Sequence, residues 1–224
     1  IEAIYLVGSL GRGEYEEGYS DVNIYIIFSE DKPLKNTVEE IVNLIPYGEE
    51  LSVRVFSKSS FFSEKCQKYR VIVKADGTLI YGTDLIKAEE MPKAGLFAAL
   101  ILNGDILDEL DEAKKWMEEN PAAAALEISK KSKKLAKLFI DFIYGVVMSN
   151  KPQYTSSRAE RIVKINEMWA ENKNMLETLL GVSKYGVGKL ESFNNLIEGF
   201  RPKAEKNLNR MLDIKRQIEE QQKS

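Results

Sequence analysis

The feature that most constrains the fold is a change in hydrophobic period about one third of the way along the 224-residue chain. Up to about Asp84 the apolar runs are short, rich in β-branched residues and bounded by Gly, Pro, Ser or Asp, a pattern typical of strands that alternate with brief helices. Beyond Tyr81 the apolar residues recur at helical spacing and strand-like runs disappear. The sequence therefore predicts an α/β (α+β) domain with a small mixed sheet over residues 1–84, followed by an all-α helical bundle over residues 85–224.

Three apolar runs in the first domain have the length and composition of core strands: Ile4–Val7, Val22–Phe28 and Leu51–Phe56. Between the second and third runs, Leu34–Ile45 has apolar residues at helical spacing and is closed by Pro46, which predicts a β-α-β-α-β order. Ser57–Lys68 is predicted to form another short helix. The remainder is predicted to be a hairpin with its turn at Asp76-Gly77 and with the strands Tyr69–Lys74 and Thr78–Tyr81.

The second domain is predicted to be an antiparallel bundle of about five or six helices. Its first long helix is expected to open at Asn120-Pro121 and to run to Val147. Further helices are predicted at Ser156–Ala170, Asn172–Leu180, Gly186–Phe200 and Lys203–Gln222. The lysines between Lys130 and Lys137 are interpreted as a solvated helix face. The aromatic side chains expected in the core are Trp116, Tyr144 and Trp169.

The chain contains no histidine, and this excludes several classes of catalytic site. Without imidazole there is no Ser-His-Asp or Cys-His triad, no histidine-based zinc or iron site and no histidine proton shuttle. The chemistry must therefore use carboxylates, amines, hydroxyls or a hard metal ion. The single cysteine, Cys66, allows no internal disulfide and points to a reducing compartment, so we expect a cytoplasmic protein.

Charge and hydropathy disfavour nucleic-acid and membrane partners. The formal net charge is −3, so no global basic field attracts a polyanion, and the lysine cluster at residues 130–137 lacks interleaved aromatic residues. The most apolar window, Phe139–Met148, is shorter than the roughly 20 residues that a membrane-spanning helix needs. Ile1–Gly8 lacks the basic flank and cleavage site of a signal peptide. The oligomeric state stays open.

The segment with the clearest chemical pattern is Val7–Phe28. A predicted strand ends at Val7, and Gly8-Ser9 then turns into a short helix, so backbone N–H groups and the Ser9 hydroxyl can face an anion. Asp21 and Asn23 enter the next strand two residues apart, so alternation places both side chains on one face beside that corner. This geometry suits metal-assisted phosphoryl or nucleotidyl transfer, in which oxygen ligands hold Mg²⁺ against a triphosphate.

The pattern of Gly8-Ser9, eleven residues and then Asp21-Val22-Asn23 resembles the signature of the DNA polymerase β-like nucleotidyltransferase superfamily. Arg12, Gly13 and an acidic Glu14 are similar to the form common in its small bacterial and archaeal members. The resemblance implies Mg²⁺ or Mn²⁺ on Asp21 and Asn23, and a nucleotide bound by Gly8, Ser9 and Arg12. It also implies transfer of a nucleoside monophosphate from a nucleoside triphosphate, with ATP expected, to a hydroxyl of a small-molecule acceptor.

A second resemblance lies in the helical domain. The run Tyr154–Glu160, with sequence YTSSRAE, opens a predicted helix and is similar to the start of the helical domains of aminoglycoside-type adenylyltransferases. In such enzymes the helical domain closes over the nucleotide cleft. By this resemblance Ser157 and Arg158 are expected to approach the triphosphate. Small members of the superfamily also pair with helical HEPN-domain RNases, so a protein-interaction role is a third possibility. The HEPN RNase motif requires a histidine, and this chain has none, so its own bundle cannot be an active RNase of that type.

Two departures from the family pattern leave the activity open. Asn23 stands where the family has a second carboxylate, and an amide oxygen can ligate Mg²⁺ without contributing charge. On the third strand Glu50, Ser52 and Arg54 share one face, and Glu50 is the one carboxylate among them that can serve as the base for the incoming hydroxyl. The first hypothesis is therefore a metal-dependent nucleotidyltransferase with Asp21 and Glu50 as catalytic residues. The second is a catalytically impaired nucleotide-binding or regulatory module of the same fold.

Overall fold

The computed structural model describes residues 1–15, 21–29, 51–169 and 173–222. The chain divides into two compact units, Ile1–Pro92 and Lys93–Ser224. The segment that follows residue 84 is hydrogen-bonded to the first unit. Lys74 Nζ donates to the carbonyls of Ile86 at 3.1 Å and Lys87 at 2.9 Å, and Ile86 is buried in the core of this unit.

The first unit contains a four-stranded mixed sheet with the strand order β3-β2-β1-β4. Its strands are β1 (Ala3–Val7), β2 (Val22–Phe28), β3 (Leu51–Ser57) and β4 (Thr78–Gly82). Strand β1 is antiparallel to β2 and β4, whereas β2 and β3 are parallel. The three predicted core strands and the small mixed sheet are confirmed. The predicted helix Leu34–Ile45 lies outside the described residues.

Short helices accompany the sheet: α1 (Gly8–Gly11), α2 (Lys58–Phe61), a 3₁₀ turn (Glu64–Cys66) and α3 (Gln67–Asp76). The predicted helix Ser57–Lys68 is therefore divided among α2, the 3₁₀ turn and the first two residues of α3. The predicted hairpin is wrong. Its first segment, Tyr69–Lys74, belongs to helix α3, and its second segment forms β4, which pairs with β1 instead. The β-branched run of α3 suggested a strand, but Val71 and Val73 are buried on the helix, so tertiary packing outweighs local propensity.

One face of the sheet forms the core of the first unit. Alternation places Ala3, Tyr5 and Val7 on this face, in register with Ile27, Tyr25 and Asn23 respectively. The ring of Tyr25 packs edge-on against Phe56 of β3 at 5.6 Å and against Tyr69 of α3 at 5.7 Å. Tyr25 is buried, whereas Asn23 is only partly buried and lies where the covered face begins.

The second unit is a helical bundle, as predicted. Its helices in the described residues are α4 (Leu96–Asn103), α5 (Ile106–Glu119), α6 (Ala125–Asn150), α7 (Arg158–Met168), α8 (Lys173–Tyr185) and α9 (Leu190–Gln221). The predicted start of the long helix at Asn120-Pro121 is wrong. Asn120 Nδ2 donates to the carbonyl of Trp116 at 2.8 Å, so Asn120 closes α5, and α6 begins at Ala125.

The last two predicted helices are one continuous helix, α9, with Pro202 inside it. A proline lacks the N–H of a helical hydrogen bond and usually interrupts a helix. The helix continues because one apolar stripe with three- and four-residue spacing runs across this position: Phe193, Ile197, Phe200, Ala204, Leu208 and Met211 are all buried. Packing of Phe200 on Phe139 of α6, with ring centroids 3.8 Å apart, holds the middle of α9 to the bundle.

The lysine-rich face of α6 is less solvated than predicted. Lys137 is buried, Lys134 Nζ lies 4.0 Å from a carboxylate oxygen of Glu109, and Lys131 Nζ lies over the ring of Trp116 at 5.3 Å. Tyr144 belongs to the core of the bundle, and Trp116 and Trp169 pack against it, as predicted. None of the helices in the described ranges combines the length and the hydropathy of a membrane-spanning segment.

Candidate functional site

The Gly8-Ser9 corner lies at the end of β1, beside the start of β2. Helix α1 begins directly at Gly8, which has a φ of +73°, a conformation that favours glycine. Val7 is the register partner of Asn23, and a Cβ placed on Gly8 would lie 3.5 Å from Asn23 Nδ2. A side chain at position 8 would therefore be in van der Waals contact with the Asn23 amide, and glycine leaves that space open.

Asp21 and Asn23 lie together at the start of β2. Asn23 Nδ2 donates to the backbone carbonyl of Asp21 at 3.2 Å, which fixes the amide beside that residue. Since the nitrogen is engaged, Oδ1 is the Asn23 atom left to accept a hydrogen bond or to ligate a cation. The Asp21 residue is exposed. Asp21 and Asn23 are therefore joined where β2 begins, and the Asn23 amide lies beside the Gly8 turn.

Arg12, a predicted nucleotide ligand, is engaged with two carboxylates. Its Nη1 donates to Asp76 Oδ2 at 2.8 Å and its Nε donates to Glu14 Oε2 at 3.0 Å. The side chain of Arg12 is 18% exposed and that of Asp76 is 8% exposed, so the pair is largely shielded from solvent. Arg12 therefore braces the loop after α1 against the end of α3, and its binding to a nucleotide stays a prediction.

The neighbouring strand β3 contributes a hydroxyl and a cation. The parallel register pairs Asn23 with Ser52 and Tyr25 with Arg54, and both β3 side chains are exposed. Arg54 Nη1 donates to the hydroxyl of Tyr69 at 3.1 Å, and its Cζ lies 5.0 Å from the centroid of that ring. The candidate base Glu50 lies outside the described residues.

The described residues are a poor fit to the Mg²⁺ or Mn²⁺ site that the family resemblance implies. Within the ranges that the structure describes, no three His, Cys, Asp or Glu side chains are grouped so that they could hold a metal ion. Asp21 supplies one negative charge and Asn23 supplies none. Because divalent cations are held chiefly by several charged or carbonyl oxygens, this set lacks the charge that a strong site requires.

Burial keeps the tyrosines beneath the site protonated. Burial raises the pKa of Tyr25 to about 12, an effect opposed by the positive charge of Arg54 and supported by Tyr69 and Asp76. Burial also raises the pKa of Tyr5 to about 12, and its hydroxyl donates to Asp84 Oδ1 at 3.1 Å. Both phenols are therefore neutral at physiological pH and act as packing and hydrogen-bonding groups.

In the second unit, Ser157 and Arg158 follow a segment that is tied down by hydrogen bonds. Helix α7 begins at Arg158, and both residues are partly exposed. The Tyr144 hydroxyl donates to the carbonyl of Gln153 and accepts from the N–H of Thr155 at 2.9 Å. Whether Ser157 and Arg158 approach a triphosphate stays a prediction.

A charged pair that the sequence analysis did not identify supports the same segment. Arg161 Nε donates to the carbonyl of Thr155 at 2.9 Å, and its Nη1 donates to Asp141 Oδ1 at 2.8 Å. The available signal was Asp141 itself, a single carboxylate within the most apolar run of the chain. A charge in such a run indicates a partner from another element.

A comparison with known protein families matches most of the first unit. Residues 1–80 match the family model of the nucleotidyltransferase domain. The matched range includes β1, β2 and β3 and ends within β4. A search of curated proteins found no match to the chain.

Proposed function

Residues 1–80 form a nucleotidyltransferase domain, consistent with the polymerase β-like nucleotidyltransferase superfamily, and from this premise we propose that the chain binds a nucleoside triphosphate at the corner formed by Gly8, Ser9, Asp21 and Asn23. The domain belongs to a class that performs nucleotidyl transfer. ATP is the expected nucleotide. The phosphates occupy the space beside the Gly8 turn, and the Ser9 hydroxyl faces them.

The observation that carries this proposal is the proximity of Gly8 and Asn23. A phosphate must approach backbone N–H groups closely to bind at a turn, and a glycine with positive φ makes room for that approach. Here the turn ends β1 directly beside Asn23, at the edge where Asp21 is exposed. Gly8, at the end of β1, is therefore a neighbour of Asn23 and Asp21, where β2 begins.

A paired serine substitution tests this location. Ser9→Asp places a negative charge in the corner, whereas Ser29→Asp places the same charge beyond the other end of β2, which runs from Val22 to Phe28. We expect Ser9→Asp to weaken ATP binding at least about tenfold by calorimetry, since like charges at close range repel. Ser29→Asp should bind as the wild type does. Equal effects of the two variants, or no ATP binding by the wild type, would contradict the proposal.

A second candidate function is transfer of the nucleoside monophosphate to a hydroxyl of a small-molecule acceptor. The exposed position of Asp21 beside Asn23, where the family has its pair of metal ligands, favours it. This candidate requires Mg²⁺ or Mn²⁺ on Asp21 and Asn23 and a base, for which Glu50 is proposed. Ser157 and Arg158 are proposed to contact the nucleotide. Release of pyrophosphate from ATP in the presence of Mg²⁺ and a panel of hydroxyl compounds is the corresponding assay.

A further inference from the structure

We propose that Arg54 supplies the positive charge of the nucleotide site, so that the phosphates of the nucleotide bind without a divalent metal ion. This inference rests on the proposed function, because it assumes that a nucleotide occupies the corner beside Gly8 and Asn23. It concerns how the negative charge of the phosphates is neutralised there.

The register of the sheet places Arg54 on the same face as Asn23. Strands β2 and β3 are parallel, with Asn23 beside Ser52 and Tyr25 beside Arg54. Arg54 lies two residues beyond Ser52, the register partner of Asn23. The backbone positions of Ser52 and Arg54 are therefore about 7 Å apart along the strand at the usual rise. A long arginine side chain spans a separation of this size. Arg54 is exposed to solvent, so an incoming ligand can reach it.

No carboxylate in the described part of the chain pairs with the charge of Arg54. Its hydrogen-bond partner is the Tyr69 hydroxyl, and the guanidinium lies over the same ring. A phenol is a neutral partner at physiological pH. Arg12 of the same unit, in contrast, contacts both Asp76 and Glu14. Arg54 therefore retains a full positive charge for an external anion.

The charge balance of the site follows from these assignments. Asp21 carries one negative formal charge, Arg54 carries one positive charge, and Asn23 and Ser52 carry none, so these four residues together are neutral. A site built from carboxylates repels a triphosphate until metal ions neutralise both. These four residues carry no net negative charge, so they do not themselves need a metal ion, and the planar fork of arginine matches two phosphate oxygens.

Tyr69 also holds Arg54 in place. Its ring packs edge-on against Tyr25 and lies 5.1 Å from the centroid of Phe56, so the platform beneath the guanidinium is part of the core of the unit. A side chain that is already ordered loses less conformational entropy on binding than a free one. The platform therefore favours phosphate binding at Arg54.

Calorimetric titration of ATP in Mg²⁺ and in excess EDTA tests the inference. The variants are Arg54→Gln, Arg54→Lys and, as a matched control, Lys58→Gln, which removes an exposed cation just beyond the other end of β3. We expect the wild type to bind ATP in EDTA. Arg54→Gln should weaken this binding about tenfold to a hundredfold, the usual effect of a lost charged hydrogen bond. The ATP affinity of Arg54→Lys in EDTA should lie between those of the wild type and Arg54→Gln. The affinity of Lys58→Gln should equal that of the wild type.

A comparison of ATP with AMP separates a direct contact from a structural effect. If Arg54 contacts the phosphate chain, Arg54→Gln weakens the binding of ATP more than the binding of AMP. A general distortion of the site weakens the binding of both nucleotides by the same factor. Should Arg54→Gln fail to fold, as judged by circular dichroism, Arg54→Lys decides the question, since it keeps the charge and loses the fork.

The outcomes separate the two proposals. Binding of ATP by the wild type only with Mg²⁺, or equal affinities of the wild type and the Arg54 variants in EDTA, overturns the role of Arg54 while nucleotide binding stands. Equal losses for ATP and AMP also overturn it. Absence of ATP binding by the wild type under both conditions removes the proposed function itself.

Discussion

The Arg12 guanidinium donates a hydrogen bond of 2.8 Å from Nη1 to Oδ2 of Asp76, the last residue of α3. These residues are 64 positions apart in the sequence, and the contact joins the loop after the Gly8-Ser9 turn to the helix that covers the sheet. Because both side chains are largely shielded from solvent, removal of one partner leaves a poorly solvated charge and costs more than it does in an exposed pair. The candidate nucleotide corner therefore depends on α3 for its position.

Replacement of Arg12 by Gln should destabilise the first unit by about 1–3 kcal/mol, because the Asp76 carboxylate then loses a charged partner. Glu14→Gln removes the other ion-pair partner of Arg12, whose side chain is 44% exposed, and should cost about 0.5 kcal/mol or less. Both tryptophans, Trp116 and Trp169, lie in the second unit, so amide hydrogen exchange in β1 and α3 is the suitable measurement. Equal losses of protection in the two variants would argue against this role of Asp76.

Replacement of Gly11 by Ala should also destabilise the first unit. A Cβ at this position would lie 2.3 Å from the carbonyl oxygen of Asp76 and 2.8 Å from that of Leu6, both of them backbone atoms. The expected cost is about 1–3 kcal/mol, as for other overpacked sites, and the same exchange experiment measures it. Gly13→Asn is the control, since no atom lies within 4 Å of a Cβ there and asparagine tolerates the positive φ of that residue. A Gly11 variant as stable as the Gly13 variant would contradict the contact.

The strands of the sheet could be predicted because the sequence pattern that marks each strand lies within the strand itself. The β-branched runs of β1, β2 and β3 and the two-residue spacing of Asp21 and Asn23 require only the alternation of a strand. The helix α3 was missed because its β-branched residues favour a strand in isolation, and only burial of Val71 and Val73 selects the helix. The continuity of α9 through Pro202 likewise follows from packing against α6.

Contacts between distant segments account for the parts of the site that the sequence did not reveal. Neither the pairing of Arg12 with Asp76 nor that of Arg161 with Asp141 has a sequence spacing that would suggest it. The placement of Arg54 beside Tyr69 depends on the contact of Tyr69 in α3 with side chains of β3. Motif positions at the end of a strand can thus be recognised from one sequence, whereas their electrostatic partners require the fold.

Replacement of Tyr144 by Phe should destabilise the helical bundle. The hydroxyl accepts from the Thr155 N–H and donates to the Gln153 carbonyl, so its loss leaves two backbone groups without this partner. The expected cost is about 1–3 kcal/mol. Urea unfolding followed by tryptophan fluorescence measures it, because both tryptophans belong to this unit. Tyr185→Phe, at a residue that is 73% exposed, is the control. A loss of stability of similar size in that variant would show that the effect is not specific to the hydrogen bonds of the Tyr144 hydroxyl.

The first unit should lose stability as the pH rises from about 10 to about 12. Burial raises the pKa of Tyr5 and Tyr25 to about 12, above the ordinary value of tyrosine near 10. The folded state holds these protons more tightly than the unfolded state, so the stabilisation is complete below pH 10 and disappears as the pH approaches 12. Amide exchange as a function of pH, corrected for the intrinsic rate, measures this loss. Tyr25→Phe should flatten the profile, whereas Tyr81→Phe, at a residue that is 58% exposed, should not.

Replacement of Asn23 by Asp restores the second carboxylate of the family pattern and tests whether this position limits metal binding. The new carboxylate would lie near the Asp21 carbonyl and lose the hydrogen bond that the amide now donates, so the variant should be less stable without a divalent cation. With Mg²⁺ the two carboxylates share a cation, and we expect a Mg²⁺-dependent rise in melting temperature that the wild type lacks.

The same variant distinguishes the two candidate functions. Pyrophosphate release that appears only in Asn23→Asp indicates a nucleotide-binding module whose metal site is impaired by the amide. Mg²⁺-dependent release by the wild type at a comparable rate indicates instead that Asn23 is a working ligand and that the chain is a transferase. Asn23→Ala is the matched control, because it removes the amide without adding charge and should show neither the Mg²⁺-dependent stabilisation nor the release.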